Sequence, residues 1–383
     1  MRKRLIGRGL RVAALAATLA LLCTGLGAGG SPAPAMAVHD TPLYAYYYIW
    51  FDTGSWNRAK KDYPLLGRYS SDETSVIRQH IRWAREAGIN GFIVSWKDTP
   101  ALDRRLQLVA AEAQRQHFRL AIIYQGLDFE RRPQPVARVA RDLDFFIRRY
   151  AASPVFGGWS KPVVAWSGTW KFTSDQIRSV TSRFRDRLTI LGTERNPAAY
   201  EAKASLFDGD AYYWSSVNPD TFPGYERKLQ AMSEVVHAAG GLWFAPAAPG
   251  FDARMVGGRT VVDRKGGETL RRQLDAAQSA DPDALGLISW NEFSENSHVE
   301  PSRRYGTTAL RVLADVRGAH FSARDAPDSS DEAGARAGGP GAIPAVAAFS
   351  VVLVASAVLL ARRRRSPEGE DAPDGRRPGA GAA

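Results

Sequence analysis

Between Thr41 and about Val316, short aromatic or β-branched runs take turns with longer segments whose apolar residues recur every three or four positions. This alternation restricts the fold more than any other feature of the chain. The short runs have the length and bounding turn residues of strands, and the longer ones the period of amphipathic helices. Strands are predicted near Tyr44–Trp50, Gly91–Trp96, Leu120–Gln125, Pro162–Ser167, Thr189–Glu194, Gly209–Trp214, Leu242–Pro246 and Leu285–Trp290. Helices are predicted near Ser71–Ala87, Leu102–His117, Pro135–Ala151, Ser174–Arg183, Pro197–Ala204, Tyr225–Ala239, Gly267–Ala280 and Thr307–Val316. Parallel neighbours need a crossover between them, and a helix supplies it. Eight such units in residues 38–320 fit an α/β single domain, a (β/α)8 TIM barrel. The rival, an open doubly wound sheet, lacks a Gly-rich phosphate turn after its first strand.

The two ends read differently. Residues 1–37 have the order of a secretory signal peptide: basic Arg2, Lys3, Arg4, Arg8 and Arg11, an apolar Val12–Leu22, and the small-x-small Ala35-Met36-Ala37. Residues 321–341 are poor in large apolar side chains and read as a flexible stalk. Residues 342–361 are long and apolar enough for one transmembrane helix, and Arg362 to Arg365 would hold the 362–383 tail in the cytoplasm. The expectation is an exported protein, anchored by a single C-terminal helix in the plasma membrane with its barrel at the cell surface.

Charge has to be read segment by segment. Of the net +11, five charges belong to the leader and two to the tail, leaving about +4 for the body. That is too mild to argue for a nucleic-acid partner. The single cysteine, Cys23, leaves with the leader, so the mature chain has no disulfide and no thiolate metal site. Six histidines occur without a His-x-x-x-His pair, and no Gly-x-Ser-x-Gly elbow is present, so neither zinc nor serine hydrolysis is indicated. No metal and no cofactor are expected.

In a barrel of this kind the active site lies where the strands end. The predicted ends deliver Tyr47, Tyr48 and Trp50, then Trp96, then Tyr124 and Gln125, then Trp166, and further on Tyr213 and Trp214. Sugars are bound by rings stacked on their C–H faces and by polar groups at the edges, and this concentration points to a carbohydrate cleft. The last strand runs into Trp290-Asn291-Glu292-Phe293-Ser294-Glu295, two carboxylates three residues apart among aromatics and amides, with His298 close behind. Two carboxyl groups beside apolar rings are what glycosidic cleavage needs, one held protonated and the other ionised. The plainer alternative is a solvated capping loop whose acids are surface charges.

The run Trp290 to Pro301 resembles the Asn-Glu-Trp-x-Glu-Gly-x-x-x-Glu-Pro signature of glycoside hydrolase family 99 and its wider relatives, with the family 71 α-1,3-glucanases more distant. Tyr46 to Trp50, Pro64 to Asp72 and Ala87 to Trp96 resemble that family's opening block in order and spacing. The resemblance implies a (β/α)8 barrel without a metal and retaining cleavage inside α-mannosidic chains. It implies Glu295 as the acid and later base at the leaving oxygen. It gives Glu292 the task of assisting the sugar's own 2-hydroxyl in attacking C1. Tyr47 or Tyr48, and Trp96, would line the subsite. Phe293 stands where the family has Trp, Asn296 where it mostly has Gly, and Gln125 near a position that carries a carboxylate in true members. An Asn tolerates a left-handed turn, so that departure can be absorbed. The expected partner is an α-linked mannan- or glucan-type polysaccharide or glycan. The alternatives are an enzyme trimming the organism's own envelope polysaccharide, or a carbohydrate-binding surface protein without turnover.

Overall fold

The computed structural model describes residues 41–128 and 130–322. Its strands are β1 (Leu43–Tyr48), β2 (Gly91–Trp96), β3 (Arg119–Tyr124), β4 (Val163–Trp166), β5 (Thr189–Leu191), β6 (Gly209–Ala211), β7 (Leu242–Ala247) and β8 (Ala284–Leu287). They alternate with α1 (Thr74–Glu86), α2 (Pro100–Arg115), α3 (Val136–Tyr150), α4 (Ser174–Phe184), α5 (Pro197–Glu201), α6 (Tyr225–Ala238), α7 (Glu268–Ser279) and α8 (Thr308–Val316). Within this eight-stranded sheet all neighbouring pairs are parallel, with β1 between β2 and β8. The two outer edges meet where Gly192 donates to the Gly209 carbonyl at 2.9 Å and accepts from Ala211 at 2.8 Å, which closes the barrel. The expected leader, most of the stalk, the membrane helix and the tail lie outside the described residues. Among the described residues no helix is long and apolar enough to cross a membrane.

Alternation along each strand divides the apolar residues into two layers. Inside the barrel, Tyr44, Tyr46, Ile93, Ile123, Leu191 and Phe244 fill the axis. Between barrel and helices lies the larger layer that includes Leu43, Tyr47, Phe92, Trp96, Trp166 and Trp290. Tyrosines fit inside because glycines face them. A Cβ on Gly91 would stand 2.4 Å from the Tyr44 ring, and one on Gly286 3.2 Å from Tyr46.

Local chemistry sets the helix limits. Thr99 caps α2 with Pro100 in the first turn, and Thr173 with Gln176 forms a reciprocal capping box on α4. Gly88 at φ 80° ends α1. The buried Arg105 guanidinium reaches from α2 to the Ile49 carbonyl at 3.0 Å and to Asp72 at 2.9 Å, which fixes the loop that leaves β1. Most strands end earlier than their sequence patterns do, while β2 ends at Trp96 as expected and β7 runs one residue further, to Ala247. β1 stops at Tyr48, β6 at Ala211 and β8 at Leu287, because the chain turns over the rim there. The aromatic and acidic residues that follow therefore belong to loops.

Candidate active site

The loop after β8 goes out and back under its own hydrogen bonds. Ser289 accepts the Glu292 amide on its Oγ at 2.8 Å and sends its own amide to the Ser297 carbonyl at 2.8 Å. The Asn291 side chain accepts from Tyr48 N at 2.8 Å and donates to Tyr48 O at 2.9 Å, pairing with β1 as a neighbouring strand would. Asn296 takes the turn in the left-handed region, φ 52°, and donates to the Tyr305 hydroxyl at 3.0 Å. From the far side, the Asp252 amide donates to the Glu295 carbonyl at 2.7 Å. The backbone that carries both acids is thus pinned at each end.

Electrostatics then separates the two carboxyl groups. Glu292 is 6% exposed. Burial raises its pKa, while the Ser294 amide, at 2.9 Å from Oε1, and the positive charge of Lys60 work against that rise. Glu295 keeps partial contact with solvent, yet no hydrogen-bond donor of the described residues reaches its carboxyl. Burial, and next the charge of Glu292, push it up to about 8, with the exposed Arg131 opposing. A carboxyl group so placed carries its proton at neutral pH.

Both acids face the same pair of phenols. The Tyr48 and Tyr213 hydroxyls share a hydrogen bond. Burial raises both phenol pKa values, and the charges of Glu292 and Glu295 push each of them further. The Tyr48 ring stacks on Trp50 at 4.3 Å, and the Tyr213 ring meets the edge of Tyr46 at 5.0 Å. Gln125 lies at the same mouth, its amide donating to the inward-facing Ser95 at 2.9 Å. Glu292, Glu295, Tyr48, Trp50 and Tyr213 therefore form one constellation, and Gln125 follows the end of β3 on the same rim.

Other expected contacts lie elsewhere. Tyr47 points away from the barrel axis, stacked on Phe92 at 4.5 Å with its hydroxyl 3.1 Å from His80. Trp96 packs on Phe146 of α3, Tyr124 donates to Asp142 at 2.9 Å, and Trp166 lies against Phe172. Trp214 packs on Phe222 and Tyr225, and Trp290 on Phe92 and His80. These rings fill the layer between barrel and helices. Every second residue of a strand faces outward, and the sequence pattern alone did not fix which. Asn291 is structural, as its pairing with β1 shows. His298 is fully buried against Phe293 at 3.9 Å, with Nε2 3.1 Å from Asp62. Burial, then the charge of Arg264, lowers its pKa to about 4, so it stays neutral and holds the loop instead of a sugar hydroxyl.

Three residues of the site were missed. Tyr46 could have been found by counting parity from Tyr48. Lys60 and Arg131 read as ordinary surface charges, and only the loop geometry turns them toward the acids. Among the described residues no group of three or more His, Cys, Asp or Glu is placed to hold a metal ion.

The sequence model of glycosyl hydrolase family 99 matches residues 57–318. The glycoprotein endo-alpha-1,2-mannosidase of Rattus norvegicus is 23% identical over 274 residues, 65% of this chain and 59% of its own length. The glycoprotein endo-alpha-1,2-mannosidase-like protein of Homo sapiens is 22% identical over 263 residues, 62% of this chain and 56% of its own. The chain thus spans less than two thirds of the curated relatives it matches. The GH99 endo-alpha-mannosidase structure from Bacteroides thetaiotaomicron superposes with a TM-score of 0.63 at 17% identity, covering 73% of this chain and 99% of that one. At that identity the superposition shows a shared fold.

Proposed function

Because this chain belongs to glycosyl hydrolase family 99, we propose that it is a retaining glycosidase acting on an α-linked, mannan- or glucan-type glycan. One observation carries the reading. Two carboxyl groups face a common pair of phenols, one kept protonated near neutrality and the other given an N–H and a nearby ammonium charge. That division of labour is what cleavage of an acetal requires.

In the proposed reaction the Glu292 carboxylate takes the proton of the sugar 2-hydroxyl. The freed oxygen attacks C1 while the C1–O bond to the leaving sugar breaks, and Glu295 gives its proton to that departing oxygen. An anhydro-sugar results. Glu295, now ionised, takes a proton from water as the water attacks C1, the C1–O2 bond of the anhydro-sugar opens, and Glu292 returns a proton to the freed 2-oxygen. Two inversions at C1 leave the configuration retained. Tyr48 and Tyr213 offer hydroxyls to the reacting ring, and Trp50 offers a face to stack on.

The family relatives named above as endo-alpha-1,2-mannosidases favour mannose as the first sugar to try. Export and anchoring of the barrel outside the cell complete the proposal, resting on the composition of residues 1–37 and 342–365. The test is release of new reducing ends from α-mannan and α-glucan by the wild type and its loss in Glu295→Gln. Saturable binding of the same polysaccharides with no release by either protein would instead identify a lectin-like surface protein. A 2-deoxy-2-fluoro substrate tests the mechanism, since it lacks the attacking hydroxyl. Its turnover with a trapped glycosyl-enzyme would transfer the nucleophile's role to a carboxylate.

A further inference from the structure

Glu300 is a carboxyl group sunk behind the catalytic loop, 1% exposed, and the proposed reaction gives it no task. A buried carboxyl is costly unless other polar groups meet it. The Tyr69 hydroxyl donates to its Oε2 at 2.8 Å, and Nε2 of the fully buried His80, on α1, stands 3.1 Å from Oε1. The Glu300 amide donates to the Trp290 carbonyl at 2.8 Å, which ties the returning arm of the loop to the outgoing one.

Two lines of contact run from this carboxyl to β1. One passes through His80, whose Nδ1 is 3.1 Å from the Tyr47 hydroxyl, and it ends in the layer away from the barrel axis. The other leads to the acids. The Tyr69 hydroxyl accepts from Asn291 Nδ2 at 3.4 Å, and Asn291 in turn grips both the amide and the carbonyl of Tyr48. Polarity matters along this second line. One N–H of the Asn291 amide is spent on the Tyr48 carbonyl, and the other needs Tyr69 to offer a lone pair and not a proton. Burial first, and then the charge of Glu300, raise the Tyr69 phenol well above its usual range, so it keeps its proton and gives it to Glu300. The Trp56 indole donates to the Tyr69 carbonyl at 2.6 Å and holds that residue from behind. At the far end, the Tyr48 hydroxyl bonds to Tyr213 and faces both Glu292 and Glu295.

We propose that Glu300 is a positioning residue for the reaction: by taking the Tyr69 proton it turns the Tyr69 oxygen to Asn291, and Asn291 so held fixes Tyr48 and its hydroxyl against the two acids. The effect on rate rests on the glycosidase reading; the effect on Tyr48 does not. A brace that only held the fold would cost stability without singling out Tyr48.

A double-mutant cycle on the full-length chain, Tyr69→Phe against Tyr48→Phe, separates the two, read in kcat on whichever α-linked polysaccharide the wild type cleaves. Tyr69→Phe keeps the ring and removes the one atom that joins Glu300 to Asn291. It should lower kcat by roughly threefold to tenfold, less than the ~100-fold that a 1 Å misplacement can cost. In the Tyr48→Phe background it should lower kcat no further. An equal loss in both backgrounds, or an unchanged kcat whatever the melting temperature, overturns the proposal. Should Tyr69→Phe not fold, the nearly isosteric Glu300→Gln is judged by the same criteria. It should lower kcat by about threefold, because a neutral amide holds the Tyr69 proton more weakly than a carboxylate does. Isotope-labelled tyrosine, observed by NMR at the hydroxyl-bearing ring carbon, needs no substrate. The Tyr48 signal, identified by its loss in Tyr48→Phe, should shift or broaden in Glu300→Gln while that of Tyr200 on α5 stays. A wild type that releases no reducing ends sinks the glycosidase reading, and this signal then decides alone: unmoved, it overturns the link from Glu300 to Tyr48.

Discussion

Glu295 and Asp62 are both carboxyl groups sunk into the rim of one barrel, and their environments push them in opposite directions. Burial acts first on each, raising the pKa. For Asp62 that rise is overcome by hydrogen bonds from His298, Ser302 and the Arg304 amide, and it ends below the usual range. Glu295 receives no such donor and gains the repulsion of Glu292, so it ends near 8. Desolvation is common to both; satisfaction is not. A buried acid surrounded by donors holds loops together, and one denied them keeps a proton available for transfer.

The largest effect expected from this contrast is chemical. Glu295→Gln should lower kcat by about 10²- to 10⁴-fold, the usual worth of a general acid, with little change in melting temperature. Asp62→Asn should do the reverse, costing on the order of 2 kcal/mol because His298 loses a charged acceptor. Thermal melts and initial rates on the two variants decide it. If both lose stability alike and neither loses rate selectively, the two carboxyls are the same kind of group and the comparison fails.

A pH series sharpens the same contrast. The Glu295 pKa is raised from 4.5 to about 8. Its contribution to stability is therefore complete below pH 4.5 and is lost as pH rises through about 8. Over that upper range kcat/KM should fall as the acid loses its proton. Asp62 is lowered from 3.8, so its contribution is present above pH 3.8 and lost as pH falls further. Glu295→Gln should flatten the stability slope on the alkaline side only, and Asp62→Asn that on the acidic side only. Denaturant melts across pH read both slopes, and a slope that persists in its own variant assigns it to another group.

Much of this was legible in the sequence. Eight strands and eight helices follow from period and bounding residues, and the acid pair from its place after the last strand. The fate of individual rings was not, because a run such as Tyr44-Ala45-Tyr46-Tyr47-Tyr48 has aromatics on both parities. One face of it looks at the barrel axis and the other at α1. Tyr48→Phe should thus cost about 10-fold or more in kcat, by removing a hydroxyl from the acids, with stability nearly unchanged. Tyr47→Phe should leave kcat alone and cost about 1 kcal/mol, by depriving His80 Nδ1 of its partner while Nε2 keeps Glu300. Neither Lys60 nor Arg131 could be foreseen, since a loop charge carries no sign in the sequence of what it faces.

The smallest expected effect concerns Asn296, which lies between Glu295 and His298 and departs from the family's usual glycine. Asn296→Gly should relieve a left-handed backbone, φ 52°, worth about 1 kcal/mol or less for an asparagine. It should also remove the bond to the Tyr305 hydroxyl, 3.0 Å long and worth about 1 kcal/mol, and add the conformational entropy of glycine to the unfolded chain. These terms oppose each other, so stability should change by no more than about 1 kcal/mol, most of it as a loss. Because the Glu295 carbonyl is still tied to the Asp252 amide, the carboxyl group should stay in place and kcat should hold. A large drop in kcat with stability intact would show that the Asn296 side chain orients the acid. The division between a bonded scaffold and an unbonded acid would then have to be redrawn one residue closer to the chemistry.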